Sequence, residues 1–316
     1  MVDQRYKLIL IVGPTAIGKT AVAVEVASLV KGEIISADSV QIYKGLDIGS
    51  GKIAPHEAIA TNGKLITHHL ISVLSPKEEF NVAKFKGEVE KLIPMIVAKD
   101  KIPVLVGGTG LYVEAVIDPY SFPQIPGDDG LRQKLYNQAL RNENGYLHSK
   151  LQTVDPVSAK KFHPNDLRRI IRALEVYYLT GKPISEAGNR APGNKESKYD
   201  LKYFGLEAPR HFIYEQINSR VDKMINDGLI DEVKQLLNAG LDPKLPALQS
   251  LGYRQIIKAL QGDYDMDDAI NLIKRDTRRY AKRQLTWFKK DSRIIWYNIQ
   301  EFRNVLRLAE EIVKQI

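Results

Sequence analysis

The segment GPTAIGKT at residues 13–20 directly follows the apolar run KLILIV at residues 7–12, and this placement constrains the fold more than any other feature. A strand that runs through a glycine-rich loop into a helix builds a phosphate cradle. Gly13 and Gly18 let the backbone curl so that its N–H groups point inward. Lys19 adds a point charge, and the Thr20 hydroxyl can ligate Mg2+. Pro14, Thr15, Ala16 and Ile17 complete the loop. The helix expected over residues 19–29 aims the positive end of its dipole at the same spot. A glycine turn that merely joins strand to helix is the bland alternative, and the agreement of motif with context argues against it. The loop does not identify the phosphorylated molecule it holds.

With 316 residues, 44% of them hydrophobic, the chain can bury one large core or a core plus a smaller module. Its formal charge of +8, from 46 basic and 38 acidic residues, favours a polyanionic partner, with nucleic acid first. The absence of cysteine excludes a disulfide framework, thiolate catalysis and Cys-ligated zinc. His68 and His69 are adjacent in an expected strand and therefore point to opposite faces, which argues against a shared metal. No apolar run approaches the roughly 20 residues of a membrane span, and the first residues lead straight into the first strand. A soluble, cytoplasmic monomer is the expectation.

Apolar runs at residues 7–13, 33–39 and 102–108 alternate with helix-like segments such as 21–29 and 82–98, the rhythm of a parallel α/β sheet. Further strands are expected at 201–207 and 293–297. Turn-forming residues crowd 118–130 and 180–200, and they bracket a helical insertion. The organisation expected is therefore a P-loop NTPase-like core, residues 1–117 with 199–316, flanked by helices and interrupted by a helical insertion domain at 118–198. Helices are expected at 131–142 and at 167–179, the second capped by Asn165 or Asp166. Apolar spacing over 213–225 reads as helix, and Gly240 is placed to stop another at 229–238.

A nucleotide-hydrolysing P-loop protein usually carries an Asp at the end of a later apolar strand to hold Mg2+. Here the strand at 102–106 ends in Gly107, Gly108 and Thr109, which weakens a standard ATPase assignment. The carboxylate ends the second strand instead, as Asp38. In an open parallel sheet that position faces the phosphate loop, where Asp38 could ligate Mg2+ through water, bind an acceptor or act as general base. Capping the next turn is its structural alternative. Ser39 and Gln41 add polar groups. Residues 271–290 hold eight basic side chains interleaved with Tyr280, Trp287 and Phe288, which fits RNA or diphosphate binding or a merely solvated helix face. A second basic group, Arg168, Arg169 and Arg172, follows Lys160 and Lys161.

Taken together, GPTAIGKT, SADSVQIYKGLDIG (36–49), IPVLVGGTGLY (102–112), HPND with RRIIRALEVY (163–177), LGYRQ (251–255) and TRRYAKRQLTWF (277–288) resemble the tRNA dimethylallyltransferases through essentially the whole chain. The resemblance implies transfer of a dimethylallyl group from dimethylallyl diphosphate to N6 of the adenosine just 3′ of the anticodon, position 37, in tRNAs reading codons that begin with U. It implies that Asp38 is the base and that Arg220 joins residues 13–20 on the diphosphate, with Mg2+ held by Thr20. It places Asp38, Ser39, Val40 and Gln41, Thr109, Arg132, and Arg168, Arg169, Ile170, Ile171 and Arg172 against the tRNA anticodon stem-loop. Arg278, Lys282 and Arg283 are expected on the loop phosphates. The chain departs from the family pattern at Ser50, Gly51 and Ile53, and at Ser72 and Ser75. A small-molecule kinase and an RNA-binding ATPase are the competing readings: the first does not require the basic and aromatic segment or LGYRQ, and the second demands a strand-end Mg2+ carboxylate that the sequence does not place after Val106.

Overall fold

The computed structural model describes residues 5–120, 125, 127–187 and 197–316. Residues 121–124, 126 and 188–196, which belong to the two turn-rich segments, lie outside the described residues. In chain order the elements are β1 (Lys7–Val12), α1 (Lys19–Leu29), β2 (Gly32–Ala37), β3 (His68–His69), α2 (Val82–Val97), β4 (Ile102–Gly107) and α3 (Gly110–Ile117). There follow α4 (Asp129–Arg141), α5 (Tyr146–Val154), α6 (Pro156–Lys161), α7 (Leu167–Thr180) and α8 (Ile184–Ala187). The chain then continues through β5 (Asp200–Glu207), α9 (Arg210–Asn226), α10 (Leu229–Asn238), α11 (Tyr253–Leu260), α12 (Met266–Phe288), β6 (Ile295–Asn298) and α13 (Val305–Val313).

The six strands form one sheet in the order β3-β2-β4-β1-β5-β6, with every pair parallel. Because both faces are covered, β1 after Lys7 is continuously apolar rather than alternating. Its Leu8, Leu10 and Val12 enter one core with α2, α3, α11 and Phe288, while Ile9 and Ile11 enter the other with α1 and α13. All five are fully buried, and truncating such a residue to Ala costs about 2–5 kcal/mol.

The register decides where the site falls. Val12 and Ala37 both pair with Gly107, so the ends of β1, β2 and β4 lie side by side. From β1 the chain builds β2 to β4 on one side, then returns to place β5 on the other, which puts the phosphate loop at a topological switch point. Asp38 follows Ala37 directly and Thr109 follows Gly107 by two residues, so both emerge beside that loop.

The division into compact units falls after Ile117 and before Ser197. The helical unit has its own core, which includes Leu135, Leu147, Leu151, Ile170 and Leu174. Asp166 rather than Asn165 caps α7, its carboxylate accepting from Arg169 N at 3.3 Å. Two strand boundaries differ from the apolar pattern for local reasons. β2 stops at Ala37 because Asp38 turns the chain, and β6 starts only at Ile295 because Arg293 folds back onto Asp291, its backbone N–H donating to Asp291 Oδ1 at 3.0 Å. Among the described residues no helix is long and apolar enough to cross a membrane.

Candidate active site

At the C-terminal ends of the strands lies a cavity of about 1070 Å³, lined by Gly18, Lys19, Thr20, Asp38, Arg220 and Tyr280 among others. Gly18 caps α1 in the left-handed conformation, φ 87°, without any side-chain bond to the first turn. The amides that open α1 therefore face the cavity with no intrahelical acceptor, ready for an anion. Lys19 donates to Pro14 O at 2.7 Å, which folds the loop around its own lysine. Burial pushes the Lys19 ammonium down to about 7; the nearby Arg220 adds to this and Asp38 opposes it. Burial likewise lowers Arg220, against the pull of Asp38 and Glu57. Two desolvated cations whose depression the nearby carboxylates do not offset make a site that favours an added negative charge, and a diphosphate would supply it.

Asp38 is held rather than free to swing. Its Oδ1 accepts from Val40 N at 2.8 Å and Gln41 N at 3.2 Å, an Asx turn that fixes the carboxylate plane. Among the described residues Oδ2 carries no hydrogen bond, so one oxygen remains for chemistry. Capping thus occupies one oxygen of the side chain and leaves the other open. Gln41 is committed internally: Oε1 accepts from Ser36 Oγ at 2.9 Å, and Nε2 donates to Gly51 O at 3.2 Å. Val40 packs against the core beside β2. Of the segment at 38–41, only Asp38 and Ser39 keep polar side-chain atoms that these contacts leave open.

Several residues that support the cavity are silent in the sequence. Glu232 on α10 accepts backbone N–H groups of Asp47, Ile48 and Gly49 at 3.0, 2.7 and 3.2 Å, and Tyr253 of LGYRQ donates to the same carboxylate at 2.6 Å. This clamps the loop that carries Gly51, against which Arg220 packs. His68, on the cavity wall, bonds Ile66 O through Nδ1 at 2.9 Å, leaving Nε2 buried and without a partner among the described residues. His69 points the other way, to Glu33 at 2.7 Å. The signal for Glu232 exists only in three dimensions, since it lies 185 residues from the first amide it binds.

On α12, Lys282 and Arg283 are exposed, and Arg283 lies over the Tyr280 ring at 5.8 Å. Arg278 is less open, donating to Asn218 Oδ1 at 2.7 Å. Thr109 neighbours the Tyr280 phenol, whose ionisation is opposed by burial first and the Asp38 charge second.

The helical unit corrects part of the sequence reading. Ile170 and Ile171, expected against RNA, are 0% and 9% exposed in the unit's core, so their side chains are unavailable to a ligand. Arg132 and Arg172, expected on RNA as well, grip the fully buried Glu175 at 2.8 and 2.5 Å. Asp128 N adds a third bond at 2.7 Å, and Arg172 also donates to Ile125 O at 3.1 Å. Burial would raise the Glu175 carboxyl, but Arg172, Asp128 N and Arg132 together hold it below its ordinary value. Arg168 is exposed, and Arg169 is exposed with an ion pair to Asp166 at 3.0 Å.

Among the described residues no group of three His, Asp or Glu gathers to hold a metal unaided. Thr20, which lines the cavity, nevertheless offers its hydroxyl as a hard oxygen donor. That donor fits Mg2+, which takes one or two protein ligands and completes its shell with substrate phosphate and water.

The parallel sheet, its phosphate loop and the cation-rich cavity define a P-loop α/β protein that carries a helical unit within its chain. Residues 41–291 match the family described as IPP transferase, and the chain belongs to it. It is 49% identical over 309 residues to the tRNA dimethylallyltransferase of Carboxydothermus hydrogenoformans, covering 98% of this chain and 97% of that protein. It is 48% identical to the protein of the same name from Symbiobacterium thermophilum, covering 99% and 96%. Among solved structures, the full-length tRNA isopentenylpyrophosphate transferase of Bacillus halodurans superposes with a TM-score of 0.71 at 39% identity, over 98% of this chain and 97% of that one. A eukaryotic dimethylallyltransferase acting on tRNA gives 0.76 at 27% identity, over 98% and 78%.

Proposed function

We propose that this chain transfers the dimethylallyl group of dimethylallyl diphosphate to N6 of adenosine 37, 3′ of the anticodon, in tRNAs reading codons that begin with U, releasing diphosphate. The observation that carries the reading is the pairing of a desolvated Lys19 and Arg220 with an Asp38 whose Oδ1 is immobilised and whose Oδ2 is open.

The diphosphate occupies the loop at residues 13–20, with Lys19 and Arg220 on its oxygens. As the C–O bond to the prenyl carbon breaks, the leaving diphosphate gains charge that these cations and the loop amides stabilise. The adenine amino group is a weak nucleophile because its lone pair is delocalised into the ring. Asp38 takes its proton as the C–N bond forms, so the product is neutral at nitrogen. Thr20 would hold Mg2+ together with the donor's phosphate oxygens, where the ion would add charge stabilisation to the leaving group.

The acceptor base leaves the anticodon-loop stack at a cost of about a few kcal/mol, which RNA contacts by Lys282 and Arg283 on α12 and by Arg168 and Arg169 on α7 offset. The helical unit is on this reading the RNA-contacting module, and the chain works as a cytoplasmic monomer. A test follows phosphate products. With Mg2+, dimethylallyl diphosphate and unmodified tRNA, inorganic diphosphate should appear only when donor and RNA are both present. Turnover of ATP to ADP with an added small-molecule acceptor, and no diphosphate from the prenyl donor, would reverse the assignment in favour of a kinase.

A further inference from the structure

The cations of α12 divide by what they are paired with. Lys274 meets Asp222 at 2.5 Å, and Arg275 and Arg279 share Asp276 at 3.0 and 3.7 Å. Arg278 has no carboxylate partner among the described residues and is ordered by neutral groups of α9 instead. Its Nη1 donates to Asn218 Oδ1 at 2.7 Å, and its guanidinium carbon lies 5.9 Å from the centre of the Tyr214 ring. Arg210, at the start of α9, comes to the same ring. Its guanidinium carbon is 4.9 Å from the ring centre, and its Nε donates to Tyr214 Oη at 2.8 Å. Arg210, Tyr214 and Asn218 follow at four-residue spacing and so share one face of the helix. Arg210 is exposed and, like Arg278, meets no carboxylate among the described residues.

Two guanidiniums gathered at one tyrosine repel each other. Attraction to the ring and hydrogen bonds to a phenol and an amide hold them in place, but neither neutral group cancels a charge. An anion would. The place of the pair in the fold narrows which anion. In β5, Gly205 pairs with Val12, so α9 starts level with the phosphate loop. Tyr214 packs against the apolar cluster that also takes Ala16 of that loop and Leu285 of α12. Yet Arg210, Tyr214 and Arg278 do not line the cavity, whereas Tyr280, on the same helix as Arg278, does. The site stands beside the cavity and not in it, where a chain whose base enters the cavity can lay its neighbouring phosphates.

We propose that Arg210 and Tyr214 form a phosphodiester site that, with Arg278, extends the RNA-binding surface from α12 onto α9. Arg210 presents paired N–H groups that match phosphate oxygens. Tyr214 is a positioning residue, orienting Arg210 through its ring and its hydroxyl. Such contacts fix the register of an RNA without reading its sequence. This inference rests on the function proposed above, which supplies the RNA.

The test measures affinity for an anticodon stem-loop RNA across a salt series, the dissociation constant of inorganic diphosphate with Mg2+, and Tm. It compares the wild type with Arg210→Ala, Arg210→Lys, Tyr214→Phe and, as a carboxylate-paired cation of the same helix pair, Arg275→Ala. Arg210→Ala should bind RNA on the order of tenfold more weakly and reduce the slope of log affinity against log salt by about 1. Diphosphate affinity and Tm should stay at the wild-type values. Arg210→Lys should restore the slope and only part of the affinity, because it returns the charge without the paired N–H groups. Tyr214→Phe should cost about threefold in RNA affinity, the scale of one lost hydrogen bond, and keep the slope. Arg275→Ala should leave the slope as it is, since Asp276 already meets that charge.

An unchanged slope in Arg210→Ala overturns the proposal. Weaker diphosphate binding with RNA affinity intact also overturns it, by making Arg210 a ligand of the donor. A lowered Tm with RNA affinity intact does the same, by reducing the stack to a brace between α9 and α12. Equal slope changes in Arg210→Ala and Arg275→Ala would leave only the general basic charge of the surface and no site. Failure of the function itself would show differently, as a wild type that binds the RNA with these dependences and yields no prenylated product.

Discussion

Lys19 and Arg220 in the sheet-bearing unit and Arg132 and Arg172 in the helical unit are all partly buried cations, yet they live in opposite electrostatic surroundings. In the first pair burial depresses both cations, Arg220 lowers Lys19 further, and Asp38 is the carboxylate that opposes the depression of both. The second pair converge on a single buried carboxylate, Glu175, to which a backbone N–H also donates, and Arg132 reaches Asp129 at 3.2 Å as well. A buried cation with too few anions waits for a ligand, whereas one that closes on a buried carboxylate holds a fold together. Charge counting along the sequence cannot separate the two.

The largest effect should come from the centre of the first arrangement. Asp38→Asn should lower the single-turnover rate about a hundred- to ten-thousand-fold, the span of general-base contributions, and leave the affinities for donor and tRNA intact. An unchanged rate would mean that the cavity is not organised around that carboxylate. Next in size is the second arrangement. Replacing Arg132 and Arg172 together by Met leaves Glu175 buried and unpaired, at a cost of about 3–5 kcal/mol, readable as a lowered midpoint in urea unfolding. Full stability combined with a flattened salt dependence of RNA binding would instead make these arginines RNA ligands and erase the distinction.

Lys19 sharpens the comparison through pH. Its ammonium sits at about 7 in the free protein, and a bound diphosphate raises it, so donor binding takes up a proton above neutrality. Donor affinity should fall as pH rises from 7 to 9, by up to about tenfold per unit, and Lys19→Met should abolish that slope. The sign for folding follows from the same depression. Between about 7 and the unfolded value of 10.5 the unfolded chain binds the extra proton, so this residue's unfavourable contribution to stability shrinks as pH rises through that window. The smallest effect is expected at the exposed arginines. Arg168→Ala or Arg169→Ala should each reduce the slope of log affinity for tRNA against log salt by about 1, without moving Tm.

Much of the sheet-bearing unit was legible because its signals are local. The run KLILIV, the loop after it and the strand-end position of Asp38 are each read within a dozen residues, and parallel pairing then aligns Val12 and Ala37 on Gly107. The ends of β2 and β6 shifted by two residues where a side chain, Asp38 or Asp291, captured backbone N–H groups that a strand would have used. What the sequence hid is long-range. The clamp of Glu232 and Tyr253 on residues 47–49 and the burial of Glu175 depend on partners distant in the chain. The stretch RRIIR shows the limit most plainly. Two of its arginines are exposed, its isoleucines are core, and its last arginine belongs to Glu175, a division set by helical phase against a core that composition does not reveal.

The central claim is that the cavity joins a prenyl group to an adenine amine. Its most direct test is mass spectrometry of nucleosides digested from tRNA after incubation with this protein, Mg2+ and dimethylallyl diphosphate, with fragmentation to locate the added group. The account predicts one prenyl group on N6 of adenosine 37, absent when the donor is omitted or Asp38 is changed to Asn. Unmodified adenosine in the presence of donor, or an added group on another nucleoside, would contradict it.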